Sequence, residues 1–131
     1  MLGLDAKVLV RFLVRDDEAQ FERARRLIQR EAGVSEDLFI GLMVLLETER
    51  VLRSRYVMSK SEILGVMLTL LGTDGIRFED EPAIEEAIVL WEDNAANFAD
   101  CLIGARNRRL GCRATATFDA KAVKLPGFVV L

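Results

Sequence analysis

The sequence predicts an α/β fold, a three-layer α/β/α sandwich around a mainly parallel central sheet. Short apolar runs alternate along the chain with longer segments whose apolar residues recur at helical spacing. The chain has 131 residues, of which 51% are hydrophobic and 30% charged, values typical of a globular protein. That length suits one domain, and the sequence shows no linker or repeat. We therefore interpret residues 1–131 as a single domain.

The first half contains three predicted strands and the helices between them. Residues 2–5 are a short apolar strand that leads straight into a helix, and an amphipathic helix over 17–32 ends at Gly33. Ser59 and Glu62 form a capping-box pattern, which predicts a helix that begins there and ends near Gly72. The remaining predicted elements of this half are a strand at 38–40, a helix at 41–55 and a strand at 76–78.

The second half begins with a helix that Asp80 is expected to cap, with Pro82 in its first turn. Its apolar stripe consists of Ile84, Ala87, Ile88 and Trp91. A further helix over 98–110 is stopped by Gly111. The alternating Ala114, Ala116 and Phe118 predict a strand, and residues 128–130 predict the last one. Strands separated by helices in this order favour a parallel sheet.

Composition excludes several kinds of protein. The chain has no histidine, so it has no Ser-His-Asp triad, no Cys-His pair and no histidine-bound zinc. Its formal charge of −3 argues against binding nucleic acid by bulk charge. Cys101 and Cys112 are expected to be small apolar residues of a reducing compartment, and the cytoplasm is the expected location. The absence of a glycine-rich phosphate loop counts against a phosphotransfer or nucleotide-binding domain.

Four acids follow or flank the predicted strands. Asp5 closes the first strand, Glu47 lies in the helix after the second, Asp100 lies in a first helical turn, and Asp119 follows Phe118. Ligand sites of parallel sheets form at the carboxyl ends of the strands. Clustered carboxylates in apolar surroundings repel one another, and a divalent cation, Mg²⁺ or Mn²⁺, offsets that repulsion. Alternatively, the acids are ordinary helix caps and turn formers, and Glu47 pairs with Arg50.

Arginines accompany two of these helices. Four lie between residues 101 and 118, and three follow Glu47 on its helix: Arg106, Arg108, Arg109, Arg113, Arg50, Arg53 and Arg55. Arginine near a metal–carboxylate centre suits a phosphodiester substrate, because its fork matches phosphate oxygens. Solvated helix faces are the alternative interpretation.

Four segments together resemble the PIN domain, and most nearly the VapC toxins of bacterial toxin–antitoxin pairs: LDAKVLVRFL (4–13), LLETERVLRSRY (45–56), NFADCLIGA (97–105) and TFD (117–119). The resemblance implies an α/β/α sandwich and a metal-dependent endoribonuclease. It matches Asp5, Glu47, Asp100 and Asp119 to the family's acidic, metal-binding positions and Thr117 to a hydroxyl beside the last. It also implies Mg²⁺ or Mn²⁺ as cofactor, RNA as substrate, a small antitoxin as partner, and a homodimer.

The chain departs from the family pattern at three positions. Ala6 and Lys7 replace the usual Thr/Ser and Asn after the first acid, and Asn97 stands where many relatives have a further acid. Lys7 either pairs with an acid of the site or points outward to hold phosphate. The alternative function is a PIN-like binding module with impaired catalysis. The apolar excess of the helices over 42–55 and 59–71 makes this helix pair the predicted protein contact surface.

Overall fold

The computed structural model describes residues 1–31 and 36–131. The predicted helix stop at Gly33 lies outside the described residues. The chain forms two units, a first unit of Met1–Glu79 and a second unit of Asp80–Leu131. Both contain helices and parallel strands, so the predicted α/β fold is confirmed. The interpretation as a single domain stays a prediction.

The first unit is built on a three-stranded parallel sheet. Its elements are β1 (Leu2–Gly3), α1 (Ala6–Leu13), α2 (Glu18–Glu31), β2 (Leu38–Ile40), α3 (Leu42–Ser54), α4 (Lys60–Leu71) and β3 (Ile76–Phe78). Strand β2 lies in the middle, with Leu38 opposite Leu2 on one side and opposite Ile76 on the other. Leu38 and Ile40 are fully buried, as expected for the central strand of a sheet that helices cover.

The second unit contains a helix pair and a two-stranded parallel sheet. Its elements are α5 (Glu81–Asp93), α6 (Phe98–Arg109), β4 (Thr115–Thr117), a 3₁₀ turn (Ala122–Lys124) and β5 (Phe128–Val130). The predicted apolar stripe of α5 is buried, and Trp91 packs against Phe98 with ring centroids 5.3 Å apart. Gly104 of α6 lies against the Phe128 ring, which leaves no room for a Cβ atom.

The start of α4 follows the predicted capping chemistry, and the structure adds a side-chain cap at the start of α6. The Ser59 hydroxyl accepts from the Glu62 N–H at 3.1 Å, while the Glu62 carboxylate accepts from the Ser59 N–H at 2.9 Å, so the capping box is confirmed. The Asn97 side chain caps α6 by accepting from the Asp100 N–H at 2.9 Å. This bond gives Asn97 a structural role as the N-cap of α6.

Three predictions about individual side chains need correction. Asp80 is the N-cap residue of α5, with Pro82 in the first turn as predicted, but its side chain makes no cap hydrogen bond: α6 arginines hold its carboxylate, and its backbone is left-handed, with φ +51°. Phe118 is 81% exposed, because the half-buried residues of β4 are its threonines, and the Thr115 hydroxyl accepts a bond from Asn107 at 3.0 Å. Cys112 is exposed in the turn after α6 and is not a small apolar residue of the interior, whereas Cys101 is buried in α6.

The apolar residues of α3 and α4 divide between core and surface. Five are buried, namely Leu45, Leu52, Ile63, Met67 and Leu70. Met43 and Leu68 are exposed, and an apolar cavity of about 640 Å³ adjoins α4 and is lined by residues that include Phe12 and Val66. None of the described helices is long and apolar enough to cross a membrane.

Candidate active site

Asp100 and Asp119 lie near each other in the second unit. Asp100 occupies the first turn of α6 and is half-buried, whereas Asp119 is exposed just after β4. Burial raises the pKa of the Asp100 carboxyl, and the negative charge of Asp119 raises it further. The two carboxylates are therefore close enough to repel each other, as the sequence-based hypothesis of an acidic site requires for this pair.

Asp119 is held by a tight turn that includes Thr117. The Thr117 hydroxyl accepts from the Asp119 N–H at 3.0 Å. One oxygen of Asp119, Oδ1, accepts from the N–H groups of Lys121 at 2.7 Å and Ala122 at 3.2 Å. The second oxygen, Oδ2, takes no part in these bonds. Thr117 thus orients the Asp119 backbone, and the turn fixes the carboxylate through Oδ1.

Asp5 and Glu47 belong to the first unit, and each has a local partner. Asp5 caps α1, with its Oδ1 accepting from the Ala6 N–H at 2.8 Å. Glu47 is paired with Arg50, whose Nη2 lies 2.6 Å from its Oε1. This hydrogen bond from Arg50, together with the charge of its guanidinium, lowers the pKa of the Glu47 carboxyl. The alternative interpretation of Glu47 as an ion-pair partner of Arg50 is what the structure shows.

The expectation of apolar surroundings is wrong for Asp5 and Glu47, which are both exposed. No group of three or more Cys, Asp or Glu side chains in a metal-binding arrangement occurs among residues 1–31 and 36–131. The Asp100–Asp119 pair does fit a divalent cation. It offers oxygen ligands of like charge, and a bound cation would offset the repulsion that raises the pKa of Asp100.

Most of the arginines considered as phosphate ligands are held by carboxylates of their own unit. Arg106 and Arg109 both bind Asp80, with 2.5 Å between Arg106 Nη1 and Asp80 Oδ2. Arg108 pairs with Glu86, and Arg53 pairs with Glu49 at 2.8 Å. These ion pairs argue against a phosphate-binding role for those side chains. Arg113 is different, since it is exposed and has no ion pair within the second unit.

Sequence reasoning missed two buried acids. The Glu49 side chain is 3% exposed although it lies only two residues from the exposed Glu47. The Asp80 side chain is also 3% exposed, and burial opposes its ionisation. Hydrogen bonds from Arg106 and Arg109 outweigh that effect and lower the pKa of Asp80. The acid-free run of arginines in α6 was the one sequence signal for a buried acidic partner.

The fold, the paired acids and a family model together identify the class of protein. Residues 3–127 match the PIN domain model, so the chain belongs to the PIN domain family. It is 28% identical over 122 residues to the VapC ribonuclease of Aquifex aeolicus strain VF5, which covers 93% of this chain and 90% of that protein. The crystal structure of VapC20 from Mycobacterium tuberculosis, described as a toxin that cleaves the sarcin–ricin loop, is 20% identical, with a TM-score of 0.46 over 93% of this chain and 92% of that one.

Proposed function

We propose that this PIN domain is a metal-dependent endoribonuclease and the toxin of a type II toxin–antitoxin pair. The observation that carries the proposal is the Asp100–Asp119 pair, whose members repel each other and occupy the positions where the family resemblance places metal-binding acids. The similarity to the VapC ribonuclease over nearly the whole chain supports RNA as the substrate. The cytoplasm is the location that this function implies.

The family resemblance assigns Asp5, Glu47, Asp100 and Asp119 as the residues that would hold Mg²⁺ or Mn²⁺, and Glu47 would have to leave Arg50 to do so. When bound, the ion supplies a Lewis acid and an acidified water for attack on a phosphodiester. The chain itself keeps the carboxylates in place: Thr117 and the turn after it orient Asp119, and the Asn97 cap fixes the first turn of α6 that carries Asp100.

Lys7 lies two residues after Asp5 and is exposed. Among the described residues of the first unit it has no ion-pair partner, so it does not neutralise Asp5. Of the two orientations considered from the sequence, this favours the outward one, in which the ammonium group is free to hold a phosphate oxygen. Lys7 therefore contributes substrate binding in the proposed function, and Ala6, which is buried, contributes packing.

The proposed antitoxin contact lies on α3 and α4. The exposed Met43 and Leu68 and the apolar cavity beside α4 supply the kind of surface that a protein partner covers. A homodimer, the second assembly expected from the family resemblance, would also need an apolar surface. Size-exclusion chromatography with light scattering, for the chain alone and with its antitoxin, measures both assemblies.

Cleavage of total RNA by the purified protein in Mg²⁺ or Mn²⁺ tests the proposal. Asp5→Asn and Asp100→Asn are expected to abolish cleavage. Asp74→Asn and Asp93→Asn remove a charge from exposed acids outside the candidate site and should leave it intact. Cleavage that survives EDTA or both site substitutions would refute the metal mechanism.

The Glu47–Arg50 ion pair favours the second candidate, a PIN-like binding module with impaired catalysis. The same preparation separates the two functions. A wild-type protein that binds RNA or antitoxin tightly, yet cleaves no RNA under conditions in which an active VapC toxin does, would establish the binding module.

A further inference from the structure

A cavity of about 340 Å³ lies between α1 and α2 in the first unit. Ala24 is buried and Val8 and Leu27 are half-buried, so these three side chains form an apolar floor. Lys7, Arg11, Gln20 and Arg23 also line the cavity; Arg11 is half-buried, and the other three are exposed. The described lining residues of this α1–α2 cavity therefore combine apolar surface, three cations and an amide, and they include no carboxylate.

Two of the three cations lack a compensating charge. The Arg11 guanidinium is fixed by Tyr56 at 3.1 Å and by Asp16 at 3.4 Å. Lys7 and Arg23 have no ion pair within the first unit as far as the structure describes it. The cavity is thus a local positive site on a chain whose formal net charge is −3, and its chemistry is complementary to an anion.

The uncharged residues that line the cavity suit a flat ring such as a nucleotide base. Gln20 accepts a hydrogen bond from Arg11 Nε through its Oε1 at 2.5 Å, so its amide N–H₂ remains available as a donor in a fixed position. The volume is at the lower end of the range for small-molecule pockets, about 300–1,000 Å³, which suits one base and its phosphate better than a length of peptide. Lys7 also lies two residues from Asp5, so a ligand in this cavity is near an acid of the proposed cleavage site.

From this juxtaposition we infer that the α1–α2 cavity binds one nucleotide of the RNA, with its phosphate on Lys7 and Arg23, its base on the apolar floor, and Gln20 donating to an acceptor on the base edge. RNA-binding proteins read single-stranded bases through hydrogen bonds to the base edges and contacts with the base face. In this cavity aliphatic side chains would supply the contact with the base face. The inference rests on the proposed function for the identity of the ligand as RNA. It makes the cavity a determinant of sequence preference.

The test measures binding apart from cleavage. Fluorescence anisotropy with labelled oligoribonucleotides that differ at one base is performed on Asp100→Asn protein, in which the RNA stays intact. Adding Arg23→Ala is expected to weaken binding about tenfold, the effect of one lost charge-assisted hydrogen bond. It should also reduce the slope of log K against log salt by about 0.7. Gln20→Ala should instead reduce the preference among bases and leave the salt slope unchanged.

Arg26→Ala is the matched control. Arg26 is an exposed arginine of α2 that pairs with Glu22 at 3.1 Å and does not line the cavity. Arg23→Ala and Gln20→Ala proteins that bind RNA like this control would overturn the inference. It would also be overturned if Arg23→Ala abolished binding of a polyglutamate peptide but left RNA binding unchanged, since the cavity would then serve an acidic protein partner.

Two further outcomes separate this inference from the proposed function. If the wild-type protein cleaves RNA, but Arg23→Ala and Gln20→Ala leave RNA binding unchanged, the nucleotide site alone is refuted. A protein that cleaves no RNA, yet binds it with the expected dependence on Arg23 and Gln20, refutes the nuclease and supports the site. Competition by free ribonucleoside monophosphates distinguishes a site for a single nucleotide from one that needs a longer strand.

Discussion

Asp80→Asn is expected to lower the free energy of unfolding by about 2–3 kcal/mol. The Asp80 side chain is 3% exposed and binds both Arg106 and Arg109. Removing one partner of a fully buried ion pair costs about 3–5 kcal/mol. Here the two arginines are 35% and 44% exposed, so water recovers part of that cost after the substitution. Asparagine tolerates the left-handed backbone at this position, which isolates the loss of charge from backbone strain.

The Asp80 carboxylate also makes the stability of the protein depend on pH. The pKa of Asp80 is lower in the folded chain than in the unfolded chain, where it is about 3.9. The stabilisation that the ionised Asp80 provides is therefore fully present above its pKa in the unfolded chain. It is lost as the pH falls through its pKa in the folded chain. Asp80→Asn should be the less acid-sensitive protein below about pH 4.

Urea unfolding followed by circular dichroism at pH 7 and pH 3 measures both effects. The control is Glu86→Gln, because the Glu86 carboxylate is 42% exposed, far more than that of Asp80, and its pair with Arg108 should contribute less than about 1 kcal/mol. A loss for Asp80→Asn no larger than that of the control, or one that is the same at both pH values, would refute the reasoning.

Three further sets of substitutions test packing, the turn and the metal site. Gly104→Ala should destabilise the protein by about 1–2 kcal/mol, because overpacking against the phenylalanine ring of β5 exceeds the gain in helix propensity. Gly65→Ala should instead stabilise it by up to about 1 kcal/mol, because a Cβ atom built at Gly65 has no described neighbour within 4 Å outside its own helix. Urea unfolding measures both changes. Thr117→Val should reduce cleavage by freeing the Asp119 turn, and Thr117→Ser should restore it. Lys7→Asn should bind Mn²⁺ more tightly in isothermal titration, since it removes a cation near the site.

Clear outcomes would contradict each of these three. Equal stability of the two glycine variants would mean that the β5 ring moves aside at no cost. Cleavage by Thr117→Val at the wild-type rate, with Thr115→Val as the control of the neighbouring hydroxyl, would remove the turn from the function. Equal Mn²⁺ affinity of Lys7→Asn and wild type would show that the lysine charge does not act on the metal.

Local chemistry made much of the fold predictable. The strands at 38–40, 76–78 and 128–130 are short apolar runs between helices, and the structure has them at these residues. The Ser59–Glu62 capping box was also readable, because both partners lie within one helical turn. These elements depend on neighbours in sequence, which a single chain displays directly.

The partners of acidic side chains, in the candidate site and elsewhere, were less predictable. The left-handed Asp80 depends on arginines 26 and 29 residues further along, and spacing alone does not display such contacts. In α3, Leu42–Leu46 is apolar on every side, so the sequence did not show whether Glu47 or Glu49 faces the core. The position of Asp119 after β4 was predicted, and its pairing with Asp100 emerged only from the folded second unit.

The order of the strands along the chain has a consequence for synthesis. All three strands of the first sheet precede residue 79, whereas Asp100 and Asp119 both lie in the second unit. Chains grow from the amino terminus and fold in that order. A growing chain therefore contains every strand of its first sheet before either member of the carboxylate pair has been added. Any product released before residue 119 lacks that pair, so incomplete synthesis yields a protein without the proposed nuclease activity.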